Sequence, residues 1–225
     1  MIWWQVALVI VVSYFCGNIS FARIIARTKN QDITKLGSGN PGMTNVLRNY
    51  GFKFGVVNLA LDMLKSFVPA LVSFYVFGHS YVMLYIAGFS SIFGHMFPIV
   101  YKFKGGKGVS STIGMFLAAN PLATLIMIAI GFVVWLVFEY GSVVSFLSMS
   151  CLTIIEGIRA RMNLSQIDSN IVCLLLFALF LLTWYAHRKN IERLLLGKEN
   201  KASIIKKTNK KLKTKKMCCW MKLHV

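Results

Sequence analysis

GVSSTIGMFLAANPLATLIMIAIGFVVWLVF, residues Gly108 to Phe138, runs for 31 residues without an acidic or basic side chain. A hydrocarbon core about 30 Å thick needs roughly 20 apolar residues as helix, so the run is too long for one straight crossing. Asn120-Pro121 lies in its middle, and proline disfavours helix in the residue before it. The run therefore reads as two passes meeting at Asn120-Pro121. Gly108 to Ala119 is short for a full span, so a re-entrant hairpin at this place stays open as the alternative.

Further uncharged or nearly uncharged runs flank it. They cover Ile2–Ala22, Phe54–Phe77 (interrupted by Asp62 and Lys65), Ser80–Tyr101, Tyr140–Ile155 and Ser169–Ala186. With no water in lipid to satisfy peptide groups, these runs must be helices. The first run lacks a leading positive charge and a small-residue cleavage site, so it reads as a helix that stays in the membrane. Composition agrees: 56% of the residues are hydrophobic and 14% charged, against about 25% charged in soluble domains. The fold class expected is an all-α polytopic membrane protein with seven transmembrane helices. Residues 1–200 form a single membrane-embedded domain, and 201–225 form a Lys-rich, disordered cytoplasmic tail.

Orientation follows from Lys and Arg, which concentrate in cytoplasmic loops. Residues 27–53 hold five, 102–107 three, and the chain from Arg188 onward thirteen. Two passes across 108–138 put all three clusters on one side and misplace only Arg159 and Arg161. A single pass would strand the thirteen. The N-terminus is thus expected outside and the C-terminus in the cytoplasm; five full spans plus a re-entrant hairpin give the same parity.

The formal charge is +18, from 25 Lys and Arg against 7 Asp and Glu. The tail 201–225 carries nine Lys and no acid, which leaves +9 for the rest. A nucleic-acid binder is rarely this apolar. Neither the seven acidic residues nor the five Cys cluster into a metal site, and the Cys spacing is no disulfide framework.

Three polar, glycine-containing segments reach the same side. Gly37-Ser38-Gly39-Asn40-Pro41-Gly42-Met43-Thr44-Asn45-Val46-Leu47-Arg48 offers a tight backbone for an anion, with hydroxyl and amide donors and a guanidinium. An ordinary turn-rich loop explains that composition equally well. Lys102-Phe103-Lys104-Gly105-Gly106-Lys107-Gly108 looks like a phosphate cradle, but it is not a P-loop, because no Ser or Thr follows Lys107. In His187-Arg188-Lys189-Asn190-Ile191-Glu192-Arg193-Leu194-Leu195-Leu196-Gly197-Lys198-Glu199, His187 and Asn190 share one helix face. His95 reads as a satisfied interfacial histidine, since no His-x4-Asp follows. Asp62 and Lys65, at i and i+3 within a span, read as a mutual pair facing the bundle interior.

Taken together and in order, GSGNPG-x-TNVLR, D-x-L-K, GH-x-FP with KFKGGKGV, and HR-x-NI-x-RL resemble the bacterial membrane acyl-phosphate:glycerol-3-phosphate acyltransferases. The resemblance runs from Trp3 to about Glu199. It implies a seven-helix enzyme of the plasma membrane with its motifs on the cytoplasmic face. The implied reaction moves a fatty acyl group from acyl phosphate, not acyl-CoA, to the 1-hydroxyl of glycerol 3-phosphate. Lysophosphatidate and inorganic phosphate leave, without metal or other cofactor and without nucleic acid. Carried over by motif, Ser38, Arg48, His187 and Asn190 are the catalytic positions. Gly39, Asn40, Gly42, Asn45, Lys104, Gly105, Gly106, Lys107, Gly108, Ser142 and Glu199 are the substrate-binding ones. Met43, Ser110-Ser111, Lys189 and Glu192 depart from the usual pattern. Two other classes use the same features: a transporter of organic phosphates, which needs charged sites near the midplane, and a scaffold whose tail binds anionic lipid.

Overall fold

The computed structural model describes residues 2–199; the Lys-rich tail lies outside the described residues. Nine α-helices and no strand occur among the described residues. They are α1 (Trp3–Asn18), α2 (Phe21–Arg27), α3 (Met43–Tyr50), α4 (Phe52–Val76), α5 (Tyr81–Met96), α6 (Val109–Ala119), α7 (Pro121–Phe138), α8 (Gly141–Asn163) and α9 (Gln166–Leu195). Six apolar stretches are long enough to cross a membrane: Trp3–Arg27, Phe52–Val76, Tyr81–Tyr101, Pro121–Phe138, Gly141–Asn163 and Gln166–Leu195. The remaining apolar helix, α6, has 11 residues. At about 1.5 Å per residue it rises about 16 Å, half the hydrocarbon thickness.

The side chains are distributed as lipid demands. Large apolar groups such as Leu122, Val133 and Val137 on α7 are exposed, while Asn18, Asn58, Asp62, Lys65 and Ser91 are buried. That arrangement is unstable in water and natural in a bilayer, where backbone and polar groups must be satisfied inside the bundle. The core centres on α5, which α1, α4, α6 and α9 contact. Close packing of α1 on α5 depends on two small residues. A Cβ on Gly17 would fall 2.0 Å from the Ser91 carbonyl oxygen, and one on Gly94 would fall 2.1 Å from that of Tyr14. Small residues at such crossings let backbones approach where lipid gives no hydrophobic drive to association.

The break expected at Asn120-Pro121 is present. Asn120 ends α6 and caps α7, its Oδ1 accepting the Ala123 N–H at 3.2 Å, with Pro121 at the first helical position. Helix α8, however, does not stop at Ile155 as the charge pattern suggested. It continues through Glu156 to Asn163, because Glu156, 0% exposed, is neutralised inside the protein. Its Oε2 accepts from Tyr85 Oη at 2.5 Å and from Arg159 Nε at 2.9 Å, and Oε1 accepts from Asn120 Nδ2 at 2.8 Å. The guanidinium of Arg159 also lies over the Tyr81 ring, and Arg161 donates to Asn170 Oδ1 at 2.7 Å. The two arginines that offended the charge rule are thus held by local partners.

Candidate active site

The site lies where the segments around α3, the α5–α6 loop, the start of α8 and the end of α9 meet. In the first segment the chain turns at Gly37 (φ 56°) and Gly39 (φ 71°), values that favour glycine. Asn45, buried on α3, holds this turn from beneath. Its Oδ1 accepts the Ser38 N–H at 3.1 Å, and its Nδ2 donates to the carbonyls of Ile33 (3.2 Å) and Leu36 (2.9 Å). The backbone N–H groups of Gly39 and Gly42 bond to the carbonyls of Leu36 and Asn40. Asn45 thus braces the turn, and the amides of Ser38, Gly39 and Gly42 bond within it. Ser38 is exposed, and in the first turn of α3 the N–H groups of Met43 and Thr44 have no intrahelical acceptors. Arg48 follows Asn45 by three residues, so the two are neighbours on one helix face.

The glycines of the second segment serve a steric purpose more than an anion-cradling one. A Cβ on Gly105 would lie 2.0 Å from the His95 carbonyl oxygen, and one on Gly106 2.2 Å from His95 Nε2. The Gly106 N–H bonds to the His95 carbonyl at 3.1 Å. Gly108, at φ 83°, begins α6. Lys104 is exposed, and its carbonyl accepts from Arg23 Nη2 at 2.5 Å; nothing draws its ammonium into the cluster described next.

Lys107 enters that cluster. Its Nζ donates to Asn190 Oδ1. Asn190 Nδ2 donates to Glu199 Oε1 at 2.7 Å, which also accepts from Ser142 Oγ at 2.8 Å. Glu199 Oε2 pairs with Arg193 Nε at 2.9 Å. Arg48 is half-buried and within electrostatic reach of Glu199 and Arg193. His187 is 2% exposed, one turn from Asn190, and its Nδ1 lies 2.9 Å from the Thr183 carbonyl. Only a protonated Nδ1 can donate there, which leaves the Nε2 lone pair as the ring's acceptor.

The charges respond to this crowding. Burial brings Lys107 down to about 8, with Glu199 opposing the drop. Partial burial also lowers Arg48, again against Glu199. Partial burial alone would raise the Glu199 carboxyl, but hydrogen bonds from Ser142, Asn190 and Arg193 hold it below the usual carboxylate range. Three cations (Arg48, Lys107, Arg193) face one carboxylate, an excess of two positive charges. Asn190, Glu199 and Ser142 are joined to one another and to Lys107 and Arg193 by hydrogen bonds. Arg193 was not singled out from the sequence, although the three-residue spacing His187, Asn190, Arg193 continues one helix face. Among the described residues no group of three or more His, Cys, Asp or Glu side chains could hold a metal ion.

A model of the family described as glycerol-3-phosphate acyltransferase matches residues 7–197. The chain belongs to the glycerol-3-phosphate acyltransferase family. Curated family members include the glycerol-3-phosphate acyltransferase of Aquifex aeolicus, 37% identical over 193 residues, covering 85% of this chain and 96% of that one. The enzyme of Mycoplasmopsis pulmonis is 34% identical over 202 residues, covering 83% and 88%. The fold of this family member also matches a crystal structure of PlsY (YgiH), an integral membrane glycerol 3-phosphate acyltransferase, in its glycerol 3-phosphate form. That match has a TM-score of 0.81 at 32% identity, over 90% of this chain and 98% of the other. The lysophosphatidic acid form of PlsY matches with a TM-score of 0.78 at 33% identity, covering 88% and 95%. The chain is therefore a multi-pass membrane acyltransferase.

Proposed function

We propose that this acyltransferase moves a fatty acyl group from acyl phosphate to the 1-hydroxyl of glycerol 3-phosphate, releasing lysophosphatidate and inorganic phosphate. The observation that carries this reading is the excess of two positive charges shared by Arg48, Lys107 and Arg193 around Glu199. A phosphate monoester carries about −1.5 to −2 at neutral pH, so one such group balances the site. The relatives' name supplies glycerol 3-phosphate as the acceptor.

In this reading the phosphate of glycerol 3-phosphate sits among Lys107, Arg48 and Arg193. The acyl-phosphate head rests on the Ser38 hydroxyl and the first-turn amides of α3, and its chain runs into lipid between helices. The 1-hydroxyl oxygen attacks the acyl carbonyl carbon, the new C–O ester bond forms, and the carbonyl carbon's bond to the phosphate oxygen breaks. Donors aimed at the carbonyl oxygen and at the departing phosphate lower the barrier electrostatically. The hydroxyl proton ends on the released phosphate. His187 Nε2 accepts a hydrogen bond from the hydroxyl and orients it; a full positive charge on this ring would be repelled by Lys107, whose ammonium is bonded to Asn190, one helical turn from His187. Acyl phosphate is already activated, so positioning suffices without an acyl-enzyme intermediate or a metal.

The same reading places the N-terminus outside, the C-terminus in the cytoplasm and the site on the cytoplasmic face of the plasma membrane, with α6 as the short seventh helix. A topology reporter fused after Phe77 should report the outside and one after Lys198 the cytoplasm. The activity test mixes purified protein with palmitoyl phosphate and glycerol 3-phosphate and measures lysophosphatidate and free phosphate. Palmitoyl-CoA should give no product. Arg48→Ala and Ser38→Ala should each cut turnover by on the order of 100-fold or more, as for loss of a transition-state donor. Turnover with palmitoyl-CoA equal to that with palmitoyl phosphate would overturn the donor assignment.

A further inference from the structure

Asp62, Lys65 and His95 are buried and take no part in the mechanism above, yet ionised groups inside a membrane bundle are costly and seldom idle. An ammonium has three protons to donate. Lys65 Nζ bonds to the Ile19 carbonyl at 2.7 Å and to His95 Nδ1 at 2.7 Å, and it forms an ion pair with Asp62 Oδ1 at 2.8 Å. Because Nδ1 accepts, the hydrogen-bond pattern puts the ring proton on Nε2, and that edge of the ring lies under Gly106. Gly105 and Gly106 are moulded on His95, and the next residue is Lys107.

The other end of the same loop is tied to the same pair. Beyond Gly108 the chain enters α6, where Ser111 Oγ donates to the Asp62 backbone carbonyl at 3.1 Å. Asp62 Oδ2 accepts from Asn58 Nδ2 at 2.9 Å, and the Lys65 carbonyl accepts from Ser91 Oγ at 2.8 Å. His95 before the loop and Ser111 after it are thus both fastened to one charged pair on α4. These hydrogen bonds and the ion pair hold the two ends of the loop to one buried site on α4.

We propose that Asp62, Lys65 and His95 are positioning residues for the glycine–lysine loop, fixing the height and direction from which Lys107 meets the phosphate of glycerol 3-phosphate. The proposal rests on the assignment of that substrate. It gives Gly106 a specific reason to lack a side chain: the His95 ring occupies the space a Cβ would need.

A double-mutant cycle tests it. Purified wild type, Gly106→Ala, His95→Ala and the double variant are assayed with palmitoyl phosphate, varying glycerol 3-phosphate. Each single change should raise KM for glycerol 3-phosphate about tenfold and leave KM for the acyl donor within about twofold, since misplacement falls on one substrate. In the His95→Ala background, Gly106→Ala should add less than about twofold, because the obstacle is gone. Effects that multiply, or that fall equally on both substrates, overturn the proposal. His95→Asn, which keeps an acceptor for Lys65 while vacating the space under Gly106, gives the same comparison if His95→Ala does not fold. Hydrogen exchange over 102–108 is independent of turnover. It should quicken in His95→Ala with α8 and α9 unchanged; unchanged exchange over 102–108 sinks the idea. If the wild type made no lysophosphatidate, the functional assignment would fail, while the exchange result would still decide whether the network positions the loop.

Discussion

Asp62–Lys65 on α4 and Glu156–Arg159 on α8 are chemically the same device, an acid followed three residues later by a base on a membrane helix, with N–O separations of 2.8 Å in both. Their surroundings separate them. Lys65 is enclosed and its remaining protons go to Ile19 and to His95, under the glycine–lysine loop. Arg159 is 27% exposed along its side chain and covers the Tyr81 ring, while Glu156 gathers Tyr85 and Asn120 at the corner between α6 and α7. One pair is wired to the loop that carries Lys107. The other holds a bend at the opposite end of the bundle. An intramembrane ion pair is therefore read by what its spare donors and acceptors touch, not by its spacing.

The strongest way to break this contrast is Asp62→Asn. The side chain keeps its shape, but Lys65 loses its one carboxylate and stays enclosed. Removing one partner of a buried pair costs about 3–5 kcal/mol. Where that strain reaches the loop, kcat/KM for glycerol 3-phosphate should fall on the order of 100-fold, at about 1.4 kcal/mol per tenfold. Steady-state kinetics check this, with the yield of folded, detergent-extracted protein as control. A well-folded variant with wild-type kinetics would leave the two pairs equivalent.

The next effect is a pH limb set by Lys107. In its proposed role the ammonium binds phosphate only while protonated, and burial brings it to about 8 from its usual 10.5. As pH rises through about 8 the charge is lost, so kcat/KM for glycerol 3-phosphate should fall about tenfold per pH unit above that point. Below it, Lys107 contributes no slope. Lys107→Arg, whose guanidinium stays charged, should abolish the limb even where it lowers the plateau. A limb that persists in Lys107→Arg would belong to another group.

These residues also show what could be read before the structure was known. The bend at Asn120-Pro121 and the pairing of Asp62 with Lys65 follow from local covalent and electrostatic rules, and both are present. Glu156 was invisible as an interior residue. A charge at the edge of an apolar run looks like its boundary, and the partners that keep it inside, Tyr85 and Asn120, lie 71 and 36 residues away. The glycine-rich segments were legible as special but not in kind. Composition cannot tell a backbone open to anions from one braced by Asn45 or pressed on His95. Asn190, Glu199 and Ser142 were named from their motifs, but the hydrogen bonds that join them depend on how α8 and the end of α9 meet.

Within the cluster, Ser142→Ala should be mild. It removes one of the hydrogen bonds on Glu199 while Asn190 and Arg193 keep theirs. A net contribution of about 0.5–1.5 kcal/mol per hydrogen bond corresponds to a rise of about 2- to 13-fold in KM for glycerol 3-phosphate, with kcat little changed. A loss beyond about 100-fold would mean that Ser142 touches substrate directly, contrary to its place behind Glu199.

Glu156→Gln should affect turnover least, and for that reason it tests the contrast most cleanly. The amide retains Tyr85 and Asn120 as neighbours but leaves Arg159 without its carboxylate. Arg159 is partly exposed and can turn toward water, so the cost should sit near the low end for a broken buried pair, about 3 kcal/mol. That corresponds to a melting temperature lower by roughly 6–12 °C, at about 2–4 °C per kcal/mol for a chain of this size. Because no hydrogen bond of Glu156 leads to the loop carrying Lys107, KM for both substrates should stay within about twofold below the new melting point. A rise in KM for glycerol 3-phosphate with unchanged melting would reverse the assignment and make the far corner part of the site's support. Melting that drops while KM holds would separate the pair that keeps the fold from the pair that aims Lys107.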